Sequence, residues 1–177
     1  HVGDTLDLLK ELGIDKKTIV FFSGDNGGQD RFKSAAYPRG YFGPNVDPLT
    51  GQEFRGGKTN LYEGGLRIPF LVRWPGKIEP GQVSDFMFYQ VDVFPTLTEI
   101  AGANNPAGLD GRSILPVLFG SRATEDPAYN HDYFYWEFRE QYAVRSGPWK
   151  AIKPGKHKSW ELYDVEKDLS ESVDLSV

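Results

Sequence analysis

The run Thr18-Ile19-Val20-Phe21-Phe22-Ser23, followed at once by Gly24-Asp25-Asn26-Gly27-Gly28, constrains this chain more than any other stretch of it. A short, continuous apolar segment predicts a strand buried on both faces, as in the interior of a parallel sheet. Upstream, Val2, Leu6, Leu9 and Leu12, with Leu8 beside them, recur at helical spacing, and Gly13 stands where a C-terminal cap belongs. Asp4, Asp7, Lys10 and Glu11 lie largely off that face. Helix, short loop and buried strand together predict an α/β unit. The helix starts at the first residue with no cap before it and no initiator Met, so the chain reads as a fragment or one piece of a longer protein.

Residues 29–57 have weak periodicity and many Gly, Pro and Asn, which predicts a long loop, and loops of that length in compact domains are usually functional or mobile. Arg67 to Trp74 reads as a second strand with Pro69 at its start or on an edge, closed by the Pro75-Gly76 turn. Asp92 to Ala101 reads as a helix capped by Asp92 and ended by Gly102, with Phe94, Leu97, Ile100 and Ala101 as its buried face. A short helix is expected around Ser113 to Phe119. The last third changes character: Tyr133–Phe138, Tyr142–Arg145, Trp149–Lys153 and Trp160–Asp164 are β-type runs, with Ser146-Gly147 as a hairpin turn. These predict a small antiparallel sheet and a division into residues 1–125 and 126–177, with an irregular tail after Asp164.

A chain of 177 residues with net charge −5 and no basic block argues against a nucleic-acid partner. No stretch of eighteen apolar residues suggests a membrane span, and no signal peptide is visible at His1-Val2-Gly3-Asp4. With no cysteine, disulfides, thiol nucleophiles and Cys-based zinc sites are excluded. Aromatic richness suits a strand-rich core and also a sugar-facing cleft.

Asp25 and Asn26 stand at the carboxyl end of the first strand, where ligands collect in open α/β sheets. A carboxylate and an amide oxygen suit a hard cation such as Ca²⁺ or Mg²⁺. The same Asp-Asn-Gly-Gly sequence also makes a good turn with no ligand at all. Lys58, after Gly56-Gly57, could hold a sulfate or phosphate from a glycine-containing turn, or could simply be a solvated surface lysine. The glycine pattern is not that of a nucleotide-binding P-loop. Glu63 and Arg67 flank Gly64-Gly65-Leu66 and are expected to brace the loop by pairing. His131 and His157 lack metal-ligand spacing, and neither Ser23 nor Thr59 has a His base nearby in sequence.

Taken in order, Gly3-Asp4-Thr5-Leu6-Asp7 to Leu12-Gly13, Thr18 to Gly27, Gly57-Lys58-Thr59-Asn60-Leu61-Tyr62-Glu63-Gly64-Gly65-Leu66-Arg67-Ile68-Pro69, Trp74-Pro75-Gly76, Val91 to Leu97, Ala101-Gly102, Asp110-Gly111-Arg112-Ser113 and Glu161-Leu162-Tyr163-Asp164 resemble the type I sulfatase family, its arylsulfatase and N-acetylgalactosamine-6-sulfatase-like members. The resemblance runs along nearly the whole chain. It implies part of an alkaline-phosphatase-like α/β/α sandwich plus a small C-terminal antiparallel sheet. It implies a metal-dependent sulfuric ester hydrolase, with Asp25 and Asn26 on a divalent ion, usually Ca²⁺, and Lys58 against the sulfate. The substrate expected is a sulfated small molecule or glycan, and the setting periplasmic or secreted.

One departure is large. The family's formylglycine nucleophile arises in a Cys/Ser-x-Pro/Ala-x-Arg motif, and no such motif occurs here. The formylglycine, the remaining metal carboxylates and the active-site histidines are therefore expected in an N-terminal part of the same protein, and the isolated chain is expected to be inactive. A phosphoester hydrolase of the same superfamily and a non-catalytic carbohydrate-binding module are the alternatives.

Overall fold

A computed structural model describes residues 1–29, 34–38, 43–120, 126 and 128–177. The residues fall into two compact units, one of His1–Phe22 and Phe70–His131, the other of Ser23–Pro69 and Asp132–Val177. The boundary at residue 125 falls on 121–125, outside the described residues.

In the first unit, α1 spans Val2–Glu11 and is followed by a single 3₁₀ turn, Asp15–Lys17. The helical periodicity holds, yet no residue of α1 is buried, and Val2, Leu8 and Leu12 are all exposed. Strand β1 (Val20–Ser23) pairs with β2 (Phe70–Arg73) in a two-stranded sheet. The expectation of burial on both faces is corrected here: Phe22 is exposed and no β1 residue is fully buried. An apolar run specifies a strand but not how many neighbours cover it, and among the described residues β1 has one strand neighbour. Phe21 and Phe88 each lie against the ring of Phe70, at centroid distances of 5.8 and 4.6 Å. The indole N–H of Trp74 donates to the Lys16 carbonyl (3.2 Å), and Arg73 pairs with Asp15 (3.7 Å).

A 3₁₀ turn at Gln90–Asp92 leads into α3 (Val93–Ile100), preceded in the chain by α2 (Glu63–Leu66) of the other unit. The predicted buried face of α3 is wrong. Pro95 and Thr96 are buried, whereas Phe94 and Leu97 are exposed. Polar anchoring decides the rotation of the helix. The Thr96 hydroxyl donates to Asp92 O (2.6 Å) and accepts from the Ile114 N–H (2.9 Å). Asp92 does not cap α3 with its side chain. Its buried carboxylate accepts instead from the backbone N–H groups of Tyr89 and Arg112, both at 2.7 Å, and lies 2.8 Å from His131 Nε2. The short helix α4 (Leu115–Leu118) follows as expected.

The second unit is built on the predicted antiparallel sheet, β3 (Phe134–Phe138), β4 (Gln141–Ser146), β5 (Trp149–Lys153) and β6 (Glu161–Asp164), in the order β3-β4-β5-β6. Ser146 belongs to β4, paired with Trp149, so the turn is Gly147-Pro148, one residue later than predicted. Alternation places Phe134, Trp136, Ala143, Arg145, Lys150, Ile152, Glu161 and Tyr163 on one face. On that face Ala143, Ile152 and Tyr163 form a core with Leu61 and Val165, against which Tyr62, Leu66 and Trp136 pack. Burial of Leu61 and Ile152 stabilises this contact by roughly 1.5–3 kcal/mol each. The tail after Asp164 has no regular element, but Val165 and Glu171 are buried. No helix among the described residues is long and apolar enough to cross a membrane.

Candidate functional site

Asp25, Asn26 and Lys58 all lie in loops of the second unit. The turn after β1 is fastened to the loop 55–65 through backbone groups. Gly27 N–H donates to Gly65 O (2.9 Å), Lys58 N–H to Gly28 O (2.8 Å), and Gly64 N–H to Arg55 O (2.9 Å). Asn45 adds a clamp, its Nδ2 lying 3.1–3.2 Å from the carbonyls of Gly28, Gly56 and Gly64. Only glycine permits so close an approach at two of these positions. A Cβ on Gly27 would collide with the Gly64 carbonyl, and one on Gly64 with the carbonyls of Gly56 and Arg55.

This lacing puts Lys58 on the backbone segment that touches Gly28, three residues from Asp25. Asp25 and Lys58 are exposed, and among the described residues neither side chain has a hydrogen-bond or ion partner. Asn26 is half-buried, and its Nδ2 donates to Gly27 O (2.8 Å), which leaves its Oδ1 as the acceptor of the amide. Two oxygen donors, one charged and one neutral, fit a hard divalent cation and make part of the six to eight oxygens that Ca²⁺ takes. Among the described residues no three His, Asp or Glu side chains gather into a metal-sized cluster. The Ser23 hydroxyl donates to its neighbour's carbonyl, Gly24 O (2.9 Å).

Thr59, next to Lys58, has φ +82°, a left-handed conformation that costs a β-branched residue of order 1–3 kcal/mol. Its carbonyl accepts from Gln141 Nε2 at the start of β4 (2.9 Å), so the sheet holds the strained residue in place.

Beneath the loop is a charge cluster of which the sequence disclosed only one pair. Arg67 Nε and Glu63 Oε2 are 2.5 Å apart, as the spacing predicted. Glu63 also meets Lys150 Nζ at 2.8 Å and Arg145 at 3.8 Å, and Lys150 meets Glu171 at 2.8 Å. Glu171 reaches back to accept from the Glu63 N–H at the start of α2 (2.6 Å). Glu63, Lys150 and Glu171 are essentially inaccessible to water. Burial pulls the Glu63 carboxyl upward, but the charges of Lys150 and Arg67 outweigh it and hold the group at about 2, against an ordinary 4.5. For Glu171 burial wins: its carboxyl is raised despite Lys150, with the charge of Glu63 adding to the effect. One signal of the cluster was readable. If Ile152 faces the core, alternation puts Lys150 there too, and a buried lysine demands a carboxylate. Glu171, in an irregular tail, carried no such signal.

Beside it, the Arg55 guanidinium lies 3.9 Å from the Tyr62 ring centroid and donates to Tyr163 Oη (2.7 Å) and Glu171 O (3.0 Å). Both tyrosine hydroxyls donate to Glu161 Oε2, at 2.8 and 2.6 Å. Burial first, and the bond to Glu161 second, push both phenols well above their usual range.

Comparison with known proteins gives the family. The sulfatase family model matches residues 1–103, and a model of the C-terminal region of N-sulphoglucosamine sulphohydrolase matches residues 56–176. The chain is 40% identical over 123 residues to the steryl-sulfatase of Rattus norvegicus, covering 67% of this chain and 20% of that protein. It is 34% identical over 177 residues to the N-acetylgalactosamine-6-sulfatase of Mus musculus, covering 99% of this chain and 31% of that protein. A solved sulfatase from Pseudoalteromonas sp. shares the fold with a TM-score of 0.70 at 23% identity, over 98% of this chain and 36% of its own. The chain thus spans a third or less of the length of these two curated relatives.

Proposed function

The chain belongs to the sulfatase family, and on that premise we propose that the whole protein hydrolyses sulfate esters, with a sulfated glycan as its substrate class. The observation that supports the reading is the lacing of the Asp25-Asn26 turn to the Lys58 loop, which holds a carboxylate and an ammonium, each without a side-chain partner among the described residues, on backbone segments joined at Gly28. Asp25 and the Asn26 Oδ1 would hold a divalent cation, Ca²⁺ or Mg²⁺. Such a cation, when bound, supplies positive charge that stabilises the sulfuryl oxygens.

Lys58 provides a second positive charge, fixed by its backbone bond to Gly28 and by the constrained Thr59, and it draws the sulfate into one orientation. The Asn26 amide is tied by its N–H group to Gly27 O, which leaves its oxygen to act as a ligand. None of these side chains makes or breaks a bond to sulfur. The formylglycine nucleophile is assigned to another part of the protein, as are the remaining metal ligands, and a periplasmic or secreted location goes with the glycan substrate. The division into a core of residues 1–125 and a sheet subdomain of 126–177 is proposed for the parent protein.

The test is turnover of 4-nitrophenyl sulfate against 4-nitrophenyl phosphate by the whole protein. Preference for the sulfate, with kcat/KM lowered about 10²–10³-fold in Lys58→Ala, is expected. Preference for the phosphate would overturn the reading in favour of phosphoester hydrolysis. The isolated chain should give no turnover, and Lys58-dependent turnover by it would contradict the assignment of the nucleophile elsewhere.

A further inference from the structure

In a chain of net charge −5, residues 139–160 carry six Lys and Arg against a single acid, Glu140. Two of the six, Arg145 and Lys150, are consumed in the Glu63 cluster. The other four, Arg139, Lys153, Lys156 and Lys158, gather with His157 at one end of the sheet. Strand alternation puts the β3–β4 turn and the β5–β6 loop at the same end. A 3.5 Å contact between Lys156 and Glu140 joins them. That contact is highly exposed and commits Lys156 weakly. The loop is closed on itself by the Lys158 N–H bond to Gly155 O (3.1 Å). Trp160, at its far side, is 49% exposed. Two further acids adjoin the patch: Glu137, in the cross-strand row of Tyr142 and Lys153, accepts from the Tyr135 hydroxyl, and Glu161 is occupied by two tyrosines and Arg55.

Position gives this patch its meaning. Gln141, the residue after Glu140, is the one that holds the Thr59 carbonyl, and Lys153 pairs across the ladder with Tyr142. The basic end of the sheet is therefore the end that abuts the loop carrying Lys58. We propose that the β3–β4 turn and the β5–β6 loop form a second anion-binding surface, which takes a sulfate or carboxylate on a neighbouring sugar of a polyanionic oligosaccharide whose scissile sulfate sits at Lys58. This rests on the reading of Lys58 given above. The lysines supply long-range attraction and point charges, and the half-exposed indole of Trp160 offers an apolar surface to the C–H groups of a sugar ring. A glycan is favoured over a nucleic acid because the adjoining loop is assigned to a sulfate ester and the chain as a whole is acidic.

The experiment is calorimetric titration of the chain, and of a Lys156→Glu, Lys158→Glu double variant, with three probes: a chondroitin sulfate hexasaccharide, 4-nitrophenyl sulfate, and an oligothymidylate of matched charge. The expected result is at least tenfold weaker hexasaccharide binding by the variant, a shallower dependence of affinity on salt, and unchanged affinity for 4-nitrophenyl sulfate. An unmoved hexasaccharide affinity would overturn the proposal. So would oligothymidylate binding as tight as the hexasaccharide and equally sensitive to the variant, since the patch would then be a general polyanion surface. Lys58→Ala separates the two readings. If it leaves 4-nitrophenyl sulfate affinity intact, the assignment of the sulfate to Lys58 fails, whatever the loop variant does.

Discussion

Lys58 and Lys150 are the same side chain in two environments of one compact unit. Lys58 is exposed and has no partner among the described residues. Lys150 is fully buried, 2.8 Å from Glu63 on one side and 2.8 Å from Glu171 on the other. A buried ammonium persists only where carboxylates compensate the lost hydration, so Lys150 reports on architecture: it ties β5 to α2 and to the tail. The Lys58 ammonium, rising from a backbone segment held by bonds to Gly28 and Gln141, makes no comparable tie among the described residues. The scaffold around it is more tightly specified than a surface lysine needs, which is the arrangement expected where a charge must be presented to a ligand.

The largest effect that would sharpen this contrast is the loss of Lys150. Lys150→Ala leaves Glu63 with Arg67 and the more distant Arg145, leaves the buried Glu171 with no ion pair among the described residues, and should cost about 3–5 kcal/mol in urea unfolding. A loss below about 1 kcal/mol would show that water reaches the cluster and would erase the distinction.

Next in size is the pH dependence of the same cluster. Glu63 is held at about 2, so the stability it contributes is complete above its ordinary 4.5 and is lost as pH falls toward 2. Glu171 is shifted the other way. Its ionised form costs stability, and that cost is relieved as pH drops through its raised value. In Glu171→Gln the relief on mild acidification should vanish while the steep loss at lower pH remains, as followed by unfolding at a series of pH values.

Gly64→Ala forces a Cβ into the carbonyls of Gly56 and Arg55 and should cost roughly 1–3 kcal/mol. It should also weaken sulfate binding, because it loosens the lacing between the two loops. At the bottom of the scale, Lys58→Ala and Asp25→Asn should each change unfolding free energy by under about 0.5 kcal/mol. A clear destabilisation by either would place that residue with Lys150, as part of the fold.

How much of this was legible in the sequence depended on whether a pattern reported on the chain or on what covers it. The four β-runs between Tyr133 and Asp164 were found because alternation is a property of the strand itself. The spacing of Leu6 and Leu9 fixed α1 as a helix, but periodicity states only which residues share a face, and that face is largely exposed. For the same reason the Phe21-Phe22 run predicts cover on both faces, which the strand lacks among the described residues. In α3 the bonds of Thr96 to Asp92 and Ile114 outweigh the apolar stripe of Phe94 and Leu97, a competition invisible without the fold. Asp25, Asn26 and Lys58 could be named from residue type and resemblance. The joining of their two loops could not, because it is made by main-chain bonds at Gly27, Gly28 and Gly65, which have no side-chain signature. The Asp92–His131 contact escaped notice for want of any spacing between residues so far apart in the chain.

The most direct measurement is the affinity of the chain for 4-nitrophenyl sulfate with and without saturating Ca²⁺, in the native sequence, in Asp25→Asn and in Lys58→Ala. If one ligand space joins the Asp25-Asn26 turn to Lys58, Ca²⁺ should tighten binding at least about fivefold in the native chain. Asp25→Asn should abolish that gain, and Lys58→Ala should weaken binding whether or not Ca²⁺ is present. Affinity that is the same with and without Ca²⁺, and indifferent to both substitutions, would contradict the account.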